Sequence, residues 1–150
     1  MQAYFRDAVG TDLPALGALL RGSGTIDTGP AGSMSGSYRD ALAEIDRTDG
    51  NYLLVAEYDR QIVAVLQLIA YRHLHERGGR TAQIVLLRVA EEFRTSGVDG
   101  MLVDHAVGRA RDLGCRRLQA MSSTARSDEH TFWERVGFVQ LDRGYARPID

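Results

Sequence analysis

Apolar and polar positions alternate along this chain in blocks that change period. Residues 2–8 alternate as a short strand should. Leu13, Leu16, Leu19 and Leu20 then share one helical face, with Thr11 as cap, Pro14 in the first turn and Gly22 as stop. Residues 22–37 hold five glycines, Pro30 and several Ser and Thr, the composition of a loop, which is either a connector or a lid over a small-molecule site. A second helix is expected over 38–47. Strands at 51–58 and 62–71, joined by Asp59-Arg60, read as a hairpin, and the nearly uninterrupted apolar run in 81–89 reads as a central strand. Val98, Met101, Leu102, Ala106, Ala110 and Leu113 recur at the helical period and end at Gly114. A strand at 116–121, a helix from Ser127 or Asp128 to Val136 stopped by Gly137, and two closing strands at 138–141 and 145–149 complete the pattern. The order β-α-α-β-β-β-α-β-α-β-β predicts a single α/β (α+β) domain over residues 1–150, a mixed sheet of about seven strands flanked by about four helices.

Composition narrows the chemistry. The chain of 150 residues carries a net charge of −2, which argues against a nucleic-acid partner held by phosphate contacts. No run approaches the roughly 20 apolar residues of a membrane span, and the first residues lack a signal peptide's pattern, so a cytoplasmic location is expected. All 18 basic residues are arginine, which excludes a lysine Schiff base. The single cysteine, Cys115, excludes an internal disulfide and a C-x-x-C metal site, and no other metal-ligand spacing stands out, so no metal is expected.

Three segments occur in a telling order: Gly78-Gly79-Arg80-Thr81-Ala82-Gln83-Ile84, then Arg88-Val89 through Arg94-Thr95-Ser96-Gly97-Val98, then Arg126 and His130-Thr131-Phe132-Trp133-Glu134-Arg135-Val136-Gly137-Phe138. Together they resemble the GNAT family, the Gcn-related N-acetyltransferases, in particular a bacterial subgroup acting on small molecules. The resemblance covers essentially the whole chain. It implies the GNAT fold, acetyl-CoA bound where the central parallel strands splay apart, direct attack on the thioester by an acceptor amine, and a homodimer. It places the cofactor at Val89, Arg94, Thr95, Ser96, Gly97, Val98, Asp99 and Gly100, where orphan N–H groups at a helix start favour a pyrophosphate.

The chain departs from the family pattern at the functional positions. Asp99 stands where glycine or alanine is usual; a like charge at ~4 Å costs about 1 to 4 kcal/mol, a tenfold to several-hundredfold loss of affinity, unless the carboxylate turns to cap the helix. Val85 stands where relatives carry a glutamate base, and the period of two puts it with Gln83 and Leu87 on one strand face. Trp133 replaces the tyrosine acid, and Glu129 a small alanine. Gln83, Val85, Leu87, Glu129 and Trp133 are therefore the expected substrate pocket. His73, His75 and Glu76 are candidate bases, as His is by its ordinary pKa. His130, matching a histidine common in the subgroup, and Tyr145, a stand-in acid, complete the catalytic candidates. Three readings follow: a small-molecule acetyltransferase with altered parts, a CoA-independent enzyme of the same fold performing a rearrangement, cyclisation or elimination on an apolar substrate, and a non-catalytic binding module.

Overall fold

The protein is described by a computed structural model covering residues 1–21, 36–122 and 127–149. Most of the expected loop at 22–37 thus lies outside the described residues. Five strands form one sheet in the order β1-β2-β3-β4-β5: β1 (Tyr4–Asp7), β2 (Asn51–Tyr58), β3 (Gln61–Arg72), β4 (Arg80–Val89) and β5 (Arg117–Ala120). Every pairing is antiparallel except β4 with β5, which is parallel. A two-residue turn closes the β2–β3 hairpin, with Asp59 at φ 48° and Arg60 at φ 64°, the left-handed pair whose twist suits such a hairpin.

Helices cover both faces. α1 (Leu13–Arg21) seats Leu16 and Leu19 against Val55 and Val65 on one face. α4 (Val98–Asp112) buries Val98, Leu102, Val103, Ala106 and Ala110 against Leu54, Leu66, Leu68 and Ile84 on the other. The remaining helices are α2 (Gly36–Arg47), the one-turn α3 (His75–Gly78) and α5 (Ser127–Arg135).

Two expectations are corrected. The closing strands at 138–141 and 145–149 are absent: among the described residues the sheet has five strands, and Val139, Leu141, Tyr145 and Ile149 are all exposed and unpaired. Second, Gln83 and Leu87 do not share a face. Gln67 pairs with Leu86 while Leu68 pairs with Ile84, so Val85 is the extra residue of a β-bulge. One extra residue reverses the alternation that follows it. Leu86 accordingly packs towards α1, and Leu87 joins the α4-side cluster.

Candidate functional site

The sheet opens beside this bulge. The β4–β5 ladder runs from Thr81–Arg117 to Ile84–Ala120 and stops, while β4 continues to Val89. Two parallel strands that share a ladder and then part leave a crevice at their carboxyl ends, the usual place for a ligand in such sheets. At this end of β4 lies a cavity of about 1080 Å³. Its walls are α1, the β2–β3 turn, the last residues of β4 and the segment after it, and the starts of α4 and α5. Seven carboxylates and four guanidinium groups line it, so the cavity favours a cation over an anion overall.

The α1 wall carries a network that pattern reading does not find. Arg6 of β1 forks onto Asp12, Nη1 to Oδ2 at 2.7 Å and Nη2 to Oδ1 at 2.9 Å, and its Nε donates to Glu57 at 3.0 Å. Asp12 is buried and also accepts the Val9 N–H at 2.8 Å. The Arg6 hydrogen bonds hold its carboxyl below the usual carboxylate range against the opposing effect of burial. The signal was half present, since an acid three residues after the residue preceding a helical turn is a capping pattern; its pairing with Arg6, and the reach of Arg6 to Glu57 across the strands, were not.

Beyond β4, Gly97 begins α4 at φ 82°, a left-handed conformation that glycine adopts without steric cost. The first-turn N–H groups are partly engaged by the chain itself. Ser96 Oγ accepts the Val98 N–H at 3.3 Å, and Asp99 Oδ1 accepts the Gly100 N–H at 2.8 Å. The Asp99 carboxylate thus engages one first-turn N–H, and it lines the cavity with Leu87, Val89 and Arg94. Thr95, Ser96, Gly97, Val98 and Gly100 form the turn and helix start around it.

The α5 wall exchanges one aromatic residue for its neighbour. Phe132 and Glu129 line the cavity, and Glu129 accepts the Ser122 hydroxyl at 3.2 Å. Trp133 does not line it. Gly137, at φ 96°, ends α5 with paired bonds from Phe138 N–H to Trp133 O and from Gly137 N–H to Glu134 O. In that motif the residue after the glycine packs on the residue five before it, and Phe138 lies edge-on to Trp133 at 5.0 Å. Trp133 is thereby a packing residue of the α4-side cluster.

The other candidates lie elsewhere. His73, His75 and Glu76 sit at the opposite end of β4, about 25 Å away by strand rise. There His73 Nε2 meets the Thr81 hydroxyl and Nδ1 the His75 carbonyl, each at 2.9 Å, and the two imidazoles stack at 4.1 Å. The ligand atoms of His73, His75 and Glu76 lie within 4.8 Å of one another, but both His73 nitrogens are engaged and Arg117 reaches Glu76 at 3.4 Å, a poor setting for a cation. Val85 is exposed at its bulge. Gln83 accepts a bond at 3.1 Å from Gln119, which also donates to the Tyr71 hydroxyl. Tyr145 is 91% exposed in the tail. His130 is half-buried on α5 and lines no part of the cavity. Cys115 packs half-buried against the core, and burial pushes its thiol up. No helix among the described residues is long and apolar enough to cross a membrane.

Comparison with known proteins places this geometry. The chain superposes on a transcriptional regulator from Bacillus halodurans C-125 with a TM-score of 0.92 and 26% identity, over 99% of this chain and 100% of that one. It superposes on the glucosamine-6-phosphate N-acetyltransferase of Arabidopsis thaliana at 0.80 and 18%, over all of both chains. With AAC(6')-Iy, solved with the bisubstrate analogue CoA-S-monomethyl-acetylneamine, the score is 0.83 at 15% identity, over 100% and 99% of the chains. The last two likenesses show the fold alone. No curated protein matches the chain. The model of the acetyltransferase (GNAT) family matches residues 26–138, most of the chain, and the protein accordingly belongs to the GNAT family.

Proposed function

We propose that this protein is an N-acetyltransferase for a small cationic molecule, with an affinity for acetyl-CoA reduced by its own Asp99. The observation that carries the reading is the parting of β4 from β5 at Ile84–Ala120, with a cavity at that end of β4 that runs on to the start of α4. When bound, acetyl-CoA supplies an acetyl thioester for attack by an acceptor nitrogen.

The residues present fit that group with one exception. Arg94 and the N-terminus of α4 offer positive charge to a pyrophosphate, and Leu87, Val89 and Phe132 offer an apolar wall to its arm. Asp99 is the exception: its carboxylate takes the Gly100 N–H and brings a negative charge to the same place. On the acceptor side, the excess of carboxylates selects a cation. Asp12, kept ionised by Arg6, acts there as a fixed charge and not as a proton acceptor. With Val85 in the usual base position and outside the cavity, transfer rests on proximity and orientation, at a cost of about 10² to 10⁴ in rate for the missing base.

The test is calorimetric titration with acetyl-CoA, followed by thiol release in the presence of matched cationic, neutral and anionic amines. Saturable binding and turnover with the cationic amine are expected. A second reading, a CoA-independent enzyme of the same fold, is favoured by the Asp99–Gly100 bond alone. Absence of binding at millimolar acetyl-CoA would replace the first reading with the second.

A further inference from the structure

One carboxylate of the cavity wall is built differently from the rest. Arg6 meets two carboxylates at once. Its Nη atoms fork onto Asp12, and its Nε and Nη2 reach Glu57 Oε2 at 3.0 and 2.9 Å. Both oxygens of Asp12 are engaged by Arg6, and Oδ2 takes the Val9 N–H as well. Glu57 differs: both of its contacts fall on Oε2, and Oε1 has no partner among the described residues. One guanidinium facing two carboxylates leaves a negative charge uncompensated, and Glu57, which lines the cavity, holds the oxygen that remains to receive a ligand.

Strand geometry fixes where this carboxylate stands. Glu57 lies two residues beyond Val55 on β2, and so on the α1-side face of the sheet. Ala56 pairs with Ala64 while Glu57 pairs with Ile62, which makes Val63 the extra residue of a second bulge. The Val63 carbonyl takes the Ala90 N–H at 2.8 Å, tying this corner to the segment that leaves β4. Glu57 is half-buried, whereas Glu91, Glu92 and Asp128 on the same cavity are exposed, where water screens a charge. Leu87, where the cavity meets β4, pairs with Leu66. The levels of Leu66 and Ile62 are four residues apart on β3, about 10 to 13 Å by strand rise with the bulge taking up part. Glu57 is thus too far away to touch a nitrogen attacking where β4 and β5 part.

We propose that Glu57 is a specificity-determining residue: its Oε1 takes a second ammonium group of the acceptor, at the far end of the molecule from the attacking nitrogen, so that the preferred acceptor is an extended dication. The inference rests on the acetyltransferase reading for which nitrogen reacts, and not for the carboxylate site itself. The bond is charge-assisted, and Arg6 holds the carboxylate in place beforehand, so little side-chain freedom is lost on binding. Ala15, Leu19, Ile62 and Val89 line the same cavity and give the methylene chain between the two nitrogens an apolar wall.

The probes are terminal diaminooctane and its singly charged counterpart, aminooctanol. Wild-type protein should favour the diamine in kcat/KM by about ten- to a hundredfold, the range of a hydrogen bond to a charged group, with the difference in KM. Glu57→Gln keeps an oxygen for Arg6 and should erase that preference with an unchanged far-UV circular dichroism spectrum, while Glu91→Gln should leave it within about twofold. Calorimetric titration of the diamine without acetyl-CoA should show the same loss in Glu57→Gln. A wild type that binds both probes equally, a preference that survives Glu57→Gln, or one that falls as far in Glu91→Gln would each overturn the proposal. Diamine binding that depends on Glu57, with no amine acetylated, would uphold the carboxylate site and sink the acetyltransferase reading instead.

Discussion

The two ends of β4 carry similar chemical inventories and put them to different uses. At the Thr81 end, two histidines, a glutamate and several arginines crowd around α3, where Glu76 and Arg77 take left-handed conformations. Nearly all of that chemistry is spent on structure: Arg72 donates to the Gly78 carbonyl, Arg116 to the Glu76 carbonyl, Arg117 to the Glu76 carboxylate, and His73 joins the turn to Thr81. At the Val89 end, arginines and carboxylates again gather, but there they wall a cavity. The difference lies in the ladder. Where β4 and β5 stay paired, polar side chains close on one another; where the strands part, such contacts persist but also wall a cavity. Residue types therefore name candidates for a site, and strand pairing chooses among them.

The largest expected effect separates packing from cavity on α5. Trp133→Ala should lower stability by about 3 kcal/mol, the low end for a large aromatic because Trp133 is half-buried, or roughly 6 to 12 °C in melting temperature. Phe132→Ala should weaken ligand binding with a smaller thermal loss. The reverse result would move Trp133 into the site.

Next comes the α1 wall. Asp12→Asn should cost about 2 kcal/mol at neutral pH, since Arg6 loses a charged partner. The folded-state pKa of Asp12 lies below its ordinary value of 3.8. Its stabilisation is therefore full above that value and lost as pH falls through the lower folded one. Denaturation of wild type and variant should accordingly converge in acid, and a constant difference across pH would show that Asp12 contributes by packing alone.

Asp99→Gly should tighten acetyl-CoA binding by about one to two orders of magnitude, as removal of one like charge predicts. Unchanged affinity by calorimetry would mean that the carboxylate stays on the Gly100 N–H and never meets the ligand.

A smaller pH effect belongs to His105, far from both ends. It stacks on Phe5 at 5.5 Å, and its Nε2 is buried without a hydrogen-bond partner among the described residues. Burial first, then Arg109, lowers its pKa, with Asp7 opposing. Folding favours its neutral form, so stability should be full above about 6.5 and fall as pH drops below it, whereas His105→Phe should flatten that slope. The smallest effect sharpens the opening contrast: His73→Gln should cost about 1 kcal/mol of stability and leave acetyl-CoA affinity within about twofold. A larger loss of binding would return the Thr81 end to the site.

Much of this molecule was legible before folding. The leucines of α1, the α4 stripe from Val98 to Ala110, the Asp59-Arg60 turn and the stop at Gly137 are local signals, each written within a few residues of where it acts. Arg94, Asp99 and Glu129 stand at positions taken from the family pattern and line the cavity, as does Leu87, which was placed there by strand alternation. Other assignments turned on distant events. Val85 was paired with Leu87 by a strict period of two, which the bulge opposite Gln67 and Leu68 breaks. Trp133 and Phe132 are neighbours in the chain and both pack on the core, but Phe132 alone of the two also lines the cavity, while Trp133 is held by Phe138 across the Gly137 turn. His73, His75 and Glu76 had suitable chemistry and stand at the wrong end of a strand.

By itself the sequence determined the order of the main elements from β1 to α5, several of the turns between them, and the family to which they belong. All of these depend on backbone preferences and hydrophobic spacing over one or two turns of chain. Only the tertiary structure decided where β4 leaves β5, that Arg6 of β1 bridges Asp12 to Glu57 of β2, and that the tail remains outside the sheet. Those outcomes depend on register and burial summed over segments far apart in the chain, and a one-residue shift in register is enough to exchange a wall for a core.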